Sequence, residues 1–209
     1  MTNRAADGPP GKRERNKAEK QRRIIEAARE LFETQGFAQT TTAQISARAG
    51  IGTGTLYLYV ESKEALLVEV FHEDVGRAWH DALDHLDRSQ SLLDQLLHAF
   101  GEVSDFHAHD PELARTYFRE LMFLPEGPQS STSDFMRKYY DRLSALLVEA
   151  QDNGELREDV PLAVLARNLF ASWYHLMLRR YTNRITDEQV RSRLRDSFSV
   201  ALLGLTPGR

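Results

Sequence analysis

The stretch Thr41–Leu67, TTAQISARAGIGTGTLYLYVESKEALL, decides the fold. Thr41 and Gln44 have the spacing of a capping box, which starts a helix running to about Ala49. Gly50 stands where a left-handed residue closes a helix, with Ile51 as its hydrophobic follower. A second helix is predicted from Gly52–Thr53 to about Tyr59. Ser62 then caps a third, with Glu64 in its first turn. Short helix, glycine turn, short helix is the pattern in which the second helix enters a DNA major groove.

Outward from this stretch the chain reads as helix throughout. Upstream, residues 1–12 (MTNRAADGPPGK) are polar and rich in glycine and proline, and are expected to be a disordered tail. A densely basic run, Arg13 to Arg23, leads into a helix whose apolar face is Ile24, Ile25, Ala28, Leu31 and Phe32, with Gly36 as its stop. Downstream, apolar residues recur at helical spacing from Lys63 to about Asp87, a rod of roughly 37 Å at about 1.5 Å per residue. Further helices are expected over Ser91–His109, from Asp110-Pro111 onward, from Phe135 to Asp152, after Pro161, and from Thr186, whose partner Gln189 completes a capping box. Pro125–Ser133 reads as a loop. Sustained period-two alternation is missing, so the fold class is all-α with about nine helices, in three regions: the tail at 1–12, a DNA-binding head at 13–62 and a helical body at 63–209.

Composition narrows the chemistry. There is no cysteine, which excludes disulfides, thiolate metal sites and cysteine nucleophiles. No apolar run approaches the ~18 residues of a membrane span, and a cytoplasmic protein is expected. The net charge of −4 is unevenly placed: residues 1–63 hold 11 Lys+Arg against 7 Asp+Glu, while residues 64–209 hold 16 against 24. A basic head on an acidic body is the electrostatic footprint of a nucleic-acid reader. His107-Ala108-His109-Asp110 looks superficially like a metal run, but an i, i+2 pair on a helix points to different faces, and no metal, cofactor or enzymatic activity is expected.

The run AGIGTGTLYLYVESKEALL resembles the signature of the tetracycline-repressor (TetR) family, A-G-(V/I)-S-x-G-(T/S)-(L/I)-Y-x-(Y/H)-F-x-(S/N)-K-(E/D)-x-L. Most specified positions agree in order, and IIEAARELFETQGFAQTTTAQIS is similar to the family's lead-in helix. Gly52 in place of the usual serine and Val60 in place of the usual phenylalanine are the departures. The resemblance covers residues 20–67 closely and the rest in helical layout. It implies a three-helix head, a body that both binds an effector and dimerises, and a repressor released from a palindromic double-stranded operator by a small apolar ligand. The alternative is a ligand-binding or scaffolding protein without DNA regulation.

Candidate residues follow. The resemblance points Thr53, Thr55 and Tyr59 toward base edges, with Gly54 allowing close backbone approach, and assigns Thr42, Tyr57 and Lys63 to phosphates. Threonine methyls and hydroxyls suit base edges, and a phenol or ammonium suits phosphate. Arg22, Arg23 and the basic residues before them are expected to project toward the DNA backbone. Leu56 and Val60 are expected to be packing residues. In the body, Phe106, His107, Tyr117, Met122, Trp173, Tyr174 and Met177 are candidate walls of a ligand cavity, with His107 or Tyr174 as its polar handle. The helix after Pro161 reads as apolar on all sides, which requires cover on all sides. Pairing of the last two helices, about 160–205, with those of a second copy is the economical solution and makes a homodimer.

Overall fold

The computed structural model describes residues 11–121 and 131–206, with the side chains of 131–135 left aside. Among the described residues every regular element is a helix: α1 (Lys12–Gln35), α2 (Thr42–Arg48), α3 (Thr53–Leu56), α4 (Lys63–Asp84), α5 (Leu92–Ala108), α6 (Pro111–Leu121), α7 (Ser131–Asp152), α8 (Leu162–Tyr181) and α9 (Asp187–Leu202). No described helix is long and apolar enough to cross a membrane. The chain divides into two compact units, one ending at Val70 and the other beginning at Phe71. This boundary falls beyond the one drawn from sequence at residue 62, because the first turns of α4 pack into the N-terminal unit through buried Leu66, Leu67 and Val70. Residues 1–10 of the expected tail lie outside the described residues. Gly11 is already the N-cap of α1, its N–H donating to Glu14 Oε2 at 2.9 Å.

In the N-terminal unit, α1 buries Ile24, Ala27, Ala28 and Phe32, while residues 11–20 are exposed along their whole length. Gly36 ends it at φ +82, and Phe37 folds back so that its ring lies 5.3 Å from that of Phe32. The Thr41–Gln44 capping box forms in both directions. At the other end of α2, Ile51 N–H donates to Ser46 O (3.0 Å) and Gly50 N–H to Ala47 O (3.1 Å), with Gly50 at φ +66. These two bonds are the Schellman closure, which satisfies carbonyls the helix would leave unpaired.

In the second unit, α8 packs against α6, α7 and α9, and α5 against α6 and α9. Its core is aromatic: Trp79 stacks on Tyr139 at 4.2 Å, and Phe100 meets Phe198 edge-on at 5.0 Å. Asp110 caps α6 by accepting from Leu113 N–H (2.9 Å), with Pro111 in the first turn where a missing N–H costs nothing. The Thr186–Gln189 box starts α9. Helix α7 begins at Ser131, inside the stretch read from sequence as loop. The expectation of a uniformly apolar α8 also needs correction. Leu165, Leu169, Trp173, Leu176 and Met177 are buried, but Val164, Arg167, Ala171 and His175 form an exposed stripe of mixed character. Val164 with Val200 and Leu203, at 42%, 71% and 79% exposure, leaves apolar surface uncovered on α8, on α9 and just after it.

Candidate DNA-reading and ligand sites

The DNA-reading candidates gather around α2 and α3. Helix α3 is one turn shorter than expected. After Leu56 the chain continues in tight turns, Leu58 N–H reaching Thr55 O and Tyr59 N–H reaching Leu56 O, because the next residues must bend toward Ser62. Its phase sorts the candidates. Thr53, Gly54, Tyr57 and Leu58 are exposed; Leu56 and Val60 are buried; Thr55 and Tyr59 are half-buried at the flank. Thr55 and Tyr59, expected toward base edges, are thus only part-exposed, Tyr59 lying three places from buried Leu56 and so leaning toward its inward side. Thr42 Oγ1 and the Tyr57 phenol oxygen sit 3.2 Å apart, which joins the two proposed phosphate contacts into one polar pair.

Two basic residues make hydrogen bonds within the head. The Arg23 guanidinium donates to Ala49 O and, at 3.1 Å, to Gly50 O, and so caps the C-terminus of α2. Lys63 Nζ donates to Phe37 O (2.9 Å) and Thr40 O (2.8 Å) and lies 4.2 Å from the Phe37 ring centroid. Two of its three donors thus hold the α1–α2 loop. Arg22 remains on the surface, bonded to Glu19 and Glu26 at 2.6 Å each, and those two carboxylates, Glu19 foremost, raise its pKa. Lys63→Ala is expected to cost about 1–3 kcal/mol of head stability through the lost loop bonds, part-buried as they are. Chemical denaturation separates that outcome from a pure loss of one phosphate contact, which would lower the salt slope and leave the midpoint unchanged.

In the body, four of the ligand candidates meet. His107, Tyr117, Trp173 and Tyr174 surround a small void of about 10 Å³, together with Val75, Phe118 and Met136. His107 is 1% exposed, and both of its ring nitrogens lack a hydrogen-bond partner. Its imidazole lies against the rings of Phe71 (6.2 Å) and Tyr117 (5.5 Å), which themselves stack 5.1 Å apart, and Phe118 lies 4.8 Å away. Burial pushes its pKa down to about 3, so the ring is neutral. The Tyr174 hydroxyl donates weakly to Phe118 O at 3.5 Å, and burial lifts its pKa to about 12. Trp173 Nε1 donates to Ser104 Oγ at 2.9 Å, which in turn donates to Phe100 O.

The other candidates lie elsewhere. Phe106 faces a shallow groove with Ala78, Ala82 and His98, because neighbours on a helix point about 100° apart and His107 already faces inward. Met177 lines a separate cleft of about 180 Å³ with Leu97, Gly101, Val190 and Leu194. Met122 lies outside the described residues. Phe118 and Met136 are wall residues that the sequence did not single out. Phe118 follows Tyr117 directly and is buried as deeply, a contact that only packing against α8 reveals.

Comparison with known proteins agrees with both halves. The family described as bacterial regulatory proteins, tetR family, matches residues 24–70, and the tetracyclin repressor-like C-terminal domain matches residues 89–191. The fatty acid metabolism regulator protein of Bacillus subtilis is 24% identical over 158 residues, spanning 76% of this chain and 81% of the relative. The Thermus thermophilus repressor FadR, solved in complex with lauroyl-CoA, superposes with a TM-score of 0.70 at 23% identity, covering 90% of this chain and 96% of that one. FadR from Bacillus subtilis, solved with stearoyl-CoA, gives 0.64 at 21% identity, covering 88% and 98%. At such identities the structural likenesses establish the fold, while the matched domains and regulatory relatives place the chain among regulators rather than enzymes. The chain belongs to the TetR family of bacterial regulatory proteins, dimeric operator-binding repressors governed by small molecules.

Proposed function

We propose that this regulator is a cytoplasmic repressor that leaves a palindromic operator when a long-chain acyl thioester enters its body. The void beside His107 carries this reading: an aromatic and aliphatic wall around this buried ring, whose nitrogens lack hydrogen-bond partners, suits an apolar tail bearing a hydrogen-bonding group. The ligands named for the two FadR structures, lauroyl-CoA and stearoyl-CoA, have that chemistry at their acyl thioester ends. A long acyl chain needs far more room than about 10 Å³, so its entry must part the walls. A ligand that favours the parted shape necessarily shifts the population toward it. Helix α4 lends Val75 to the wall and its first turns to the head, and is the route by which that shift would reach DNA. Val164, Val200 and Leu203 support residues 160–205 as the pairing surface between two copies. In each head, Thr42 and Tyr57 are the proposed phosphate contacts and Thr53 and Gly54 the groove-facing residues.

The test is binding of a duplex recovered from a randomised pool, titrated with lauroyl-CoA, stearoyl-CoA, acetyl-CoA and free CoA. The long-chain thioesters should weaken DNA binding by roughly 5–150-fold, the usual range of coupling, and DNA should weaken their binding by the same factor. Unchanged DNA affinity across the series would refute the proposal.

A further inference from the structure

We infer that Leu58 is a sequence reader that recognises the C5-methyl group of a thymine in the major groove. The inference rests on the DNA-reading role of the head. Leu58 is 80% exposed, the most exposed large apolar side chain among the described residues. It stands just past the α3 C-cap Tyr57 and, like Thr53, Gly54 and Tyr57, is exposed. A leucine left in water at this place has no packing role to explain it: Leu56 and Val60 already fill the space beneath, at 0% and 6% exposure.

Its chemistry then narrows what it can touch. The side chain has no donor, acceptor or charge, so it cannot bind a phosphate or a polar base edge. The neighbouring phenol of Tyr57 is already drawn toward Thr42 at the start of α2, which leaves Leu58 toward the groove floor. Within a major groove the one apolar feature offered by the bases is the thymine methyl, and apolar side chains are its natural partners. Exposed Thr53 and Gly54 add little bulk, so an isobutyl group can advance further than its neighbours.

The experiment uses the full chain and a duplex recovered from a randomised pool. Each thymine is replaced in turn by deoxyuridine, which removes the methyl and leaves base pairing intact. One symmetry-related pair of positions should lose affinity by about fourfold per half-site, the worth of roughly one buried methylene. The same replacements should have no effect on Leu58→Ala, which on the unmodified duplex loses affinity by the same factor. Its salt slope should match that of the parent, because leucine neutralises no phosphate. Retained helix content and thermal midpoint in Leu58→Ala would confirm an intact head. Indifference of the parent chain to every methyl removal would overturn the inference, as would a penalty that persists in full in Leu58→Ala. Either result leaves the operator-binding role standing. Failure of the parent chain to retain any duplex would instead bring down both.

Discussion

Gly50→Ala is expected to destabilise the DNA-reading head while leaving the body intact. Gly50 sits at φ +66, where a side chain costs about 1–2 kcal/mol by its clash with the following carbonyl. A Cβ there would also lie 2.8 Å from Arg23 Nη2. That nitrogen ends a flexible side chain and can retreat, so the steric clash itself is cheap. Retreat nevertheless breaks the guanidinium bonds to Ala49 O and Gly50 O, and about 1 kcal/mol more is lost with them, since water takes over part of the role. The total of roughly 2–3 kcal/mol is large for a unit of some 60 residues, where the hydrophobic core is small. DNA affinity should fall by more than about tenfold, and head amides should exchange faster in hydrogen-exchange measurements. Gly54→Ala is the matched control. Its added Cβ meets nothing within 4 Å and its backbone is ordinary helix, so the fold should hold or gain about 0.5–1 kcal/mol. Affinity loss there, with stability kept, would mark Gly54 as a place of close approach to DNA.

The parts of the molecule visible in the sequence are those set by neighbours in the chain. The boxes Thr41–Gln44 and Thr186–Gln189, the Asp110-Pro111 start and the Gly50 closure all join residues within five positions. Each could be written down from spacing alone. Roles set by distant partners were hidden. Arg23 meets Ala49 and Gly50 across 26 and 27 positions, and Lys63 meets Phe37 and Thr40 across 26 and 23, so both looked like free cations beside DNA. Helical phase accounts for a second group. The resemblance points Tyr59 toward base edges from a helix running to about Tyr59, but the chain tightens after Leu56, which leaves Tyr59 half-buried and Leu58 exposed. In the body the family resemblance implied a hollow among the aromatics, where packing leaves a void of about 10 Å³. His107, Tyr117, Trp173 and Tyr174 converge, whereas Phe106 and Met177 are turned to other faces of the same helices.

The buried histidines give the body an acid limit that His107→Leu should relax. Burial pushes His107 down to about 3 and His72, edge-on to Tyr117, down to about 4, against an ordinary value near 6.5 in the unfolded chain. Below pH 6.5 the unfolded chain takes up a proton at each ring and the folded body does not. Stability is therefore fully present above pH 6.5 and falls as pH drops toward 4 and then 3, with a slope near 1.4 kcal/mol per pH unit for each ring. At pH 4.5 the pair together would cost on the order of 5 kcal/mol, enough to unfold many domains of ordinary stability. The lowered carboxylates, Asp84, Asp94 and Asp187 among them, add their own loss only at lower pH, because their unfolded values lie near 4. Urea midpoints measured from pH 7.5 to 4.5 should show about half the slope in His107→Leu. Near neutrality two effects oppose each other in that variant. Relief of two unpaired buried nitrogens is worth about 1–3 kcal/mol, and lost ring stacking costs about 0.5–1.5 kcal/mol. An unchanged slope would mean that the imidazole finds a proton-accepting neighbour on acidification, and with it the apolar box proposed as the ligand wall would fail. If the slope halves while long-chain thioesters lose their power to release DNA from the variant, the same unpaired ring both limits the fold in acid and anchors the effector.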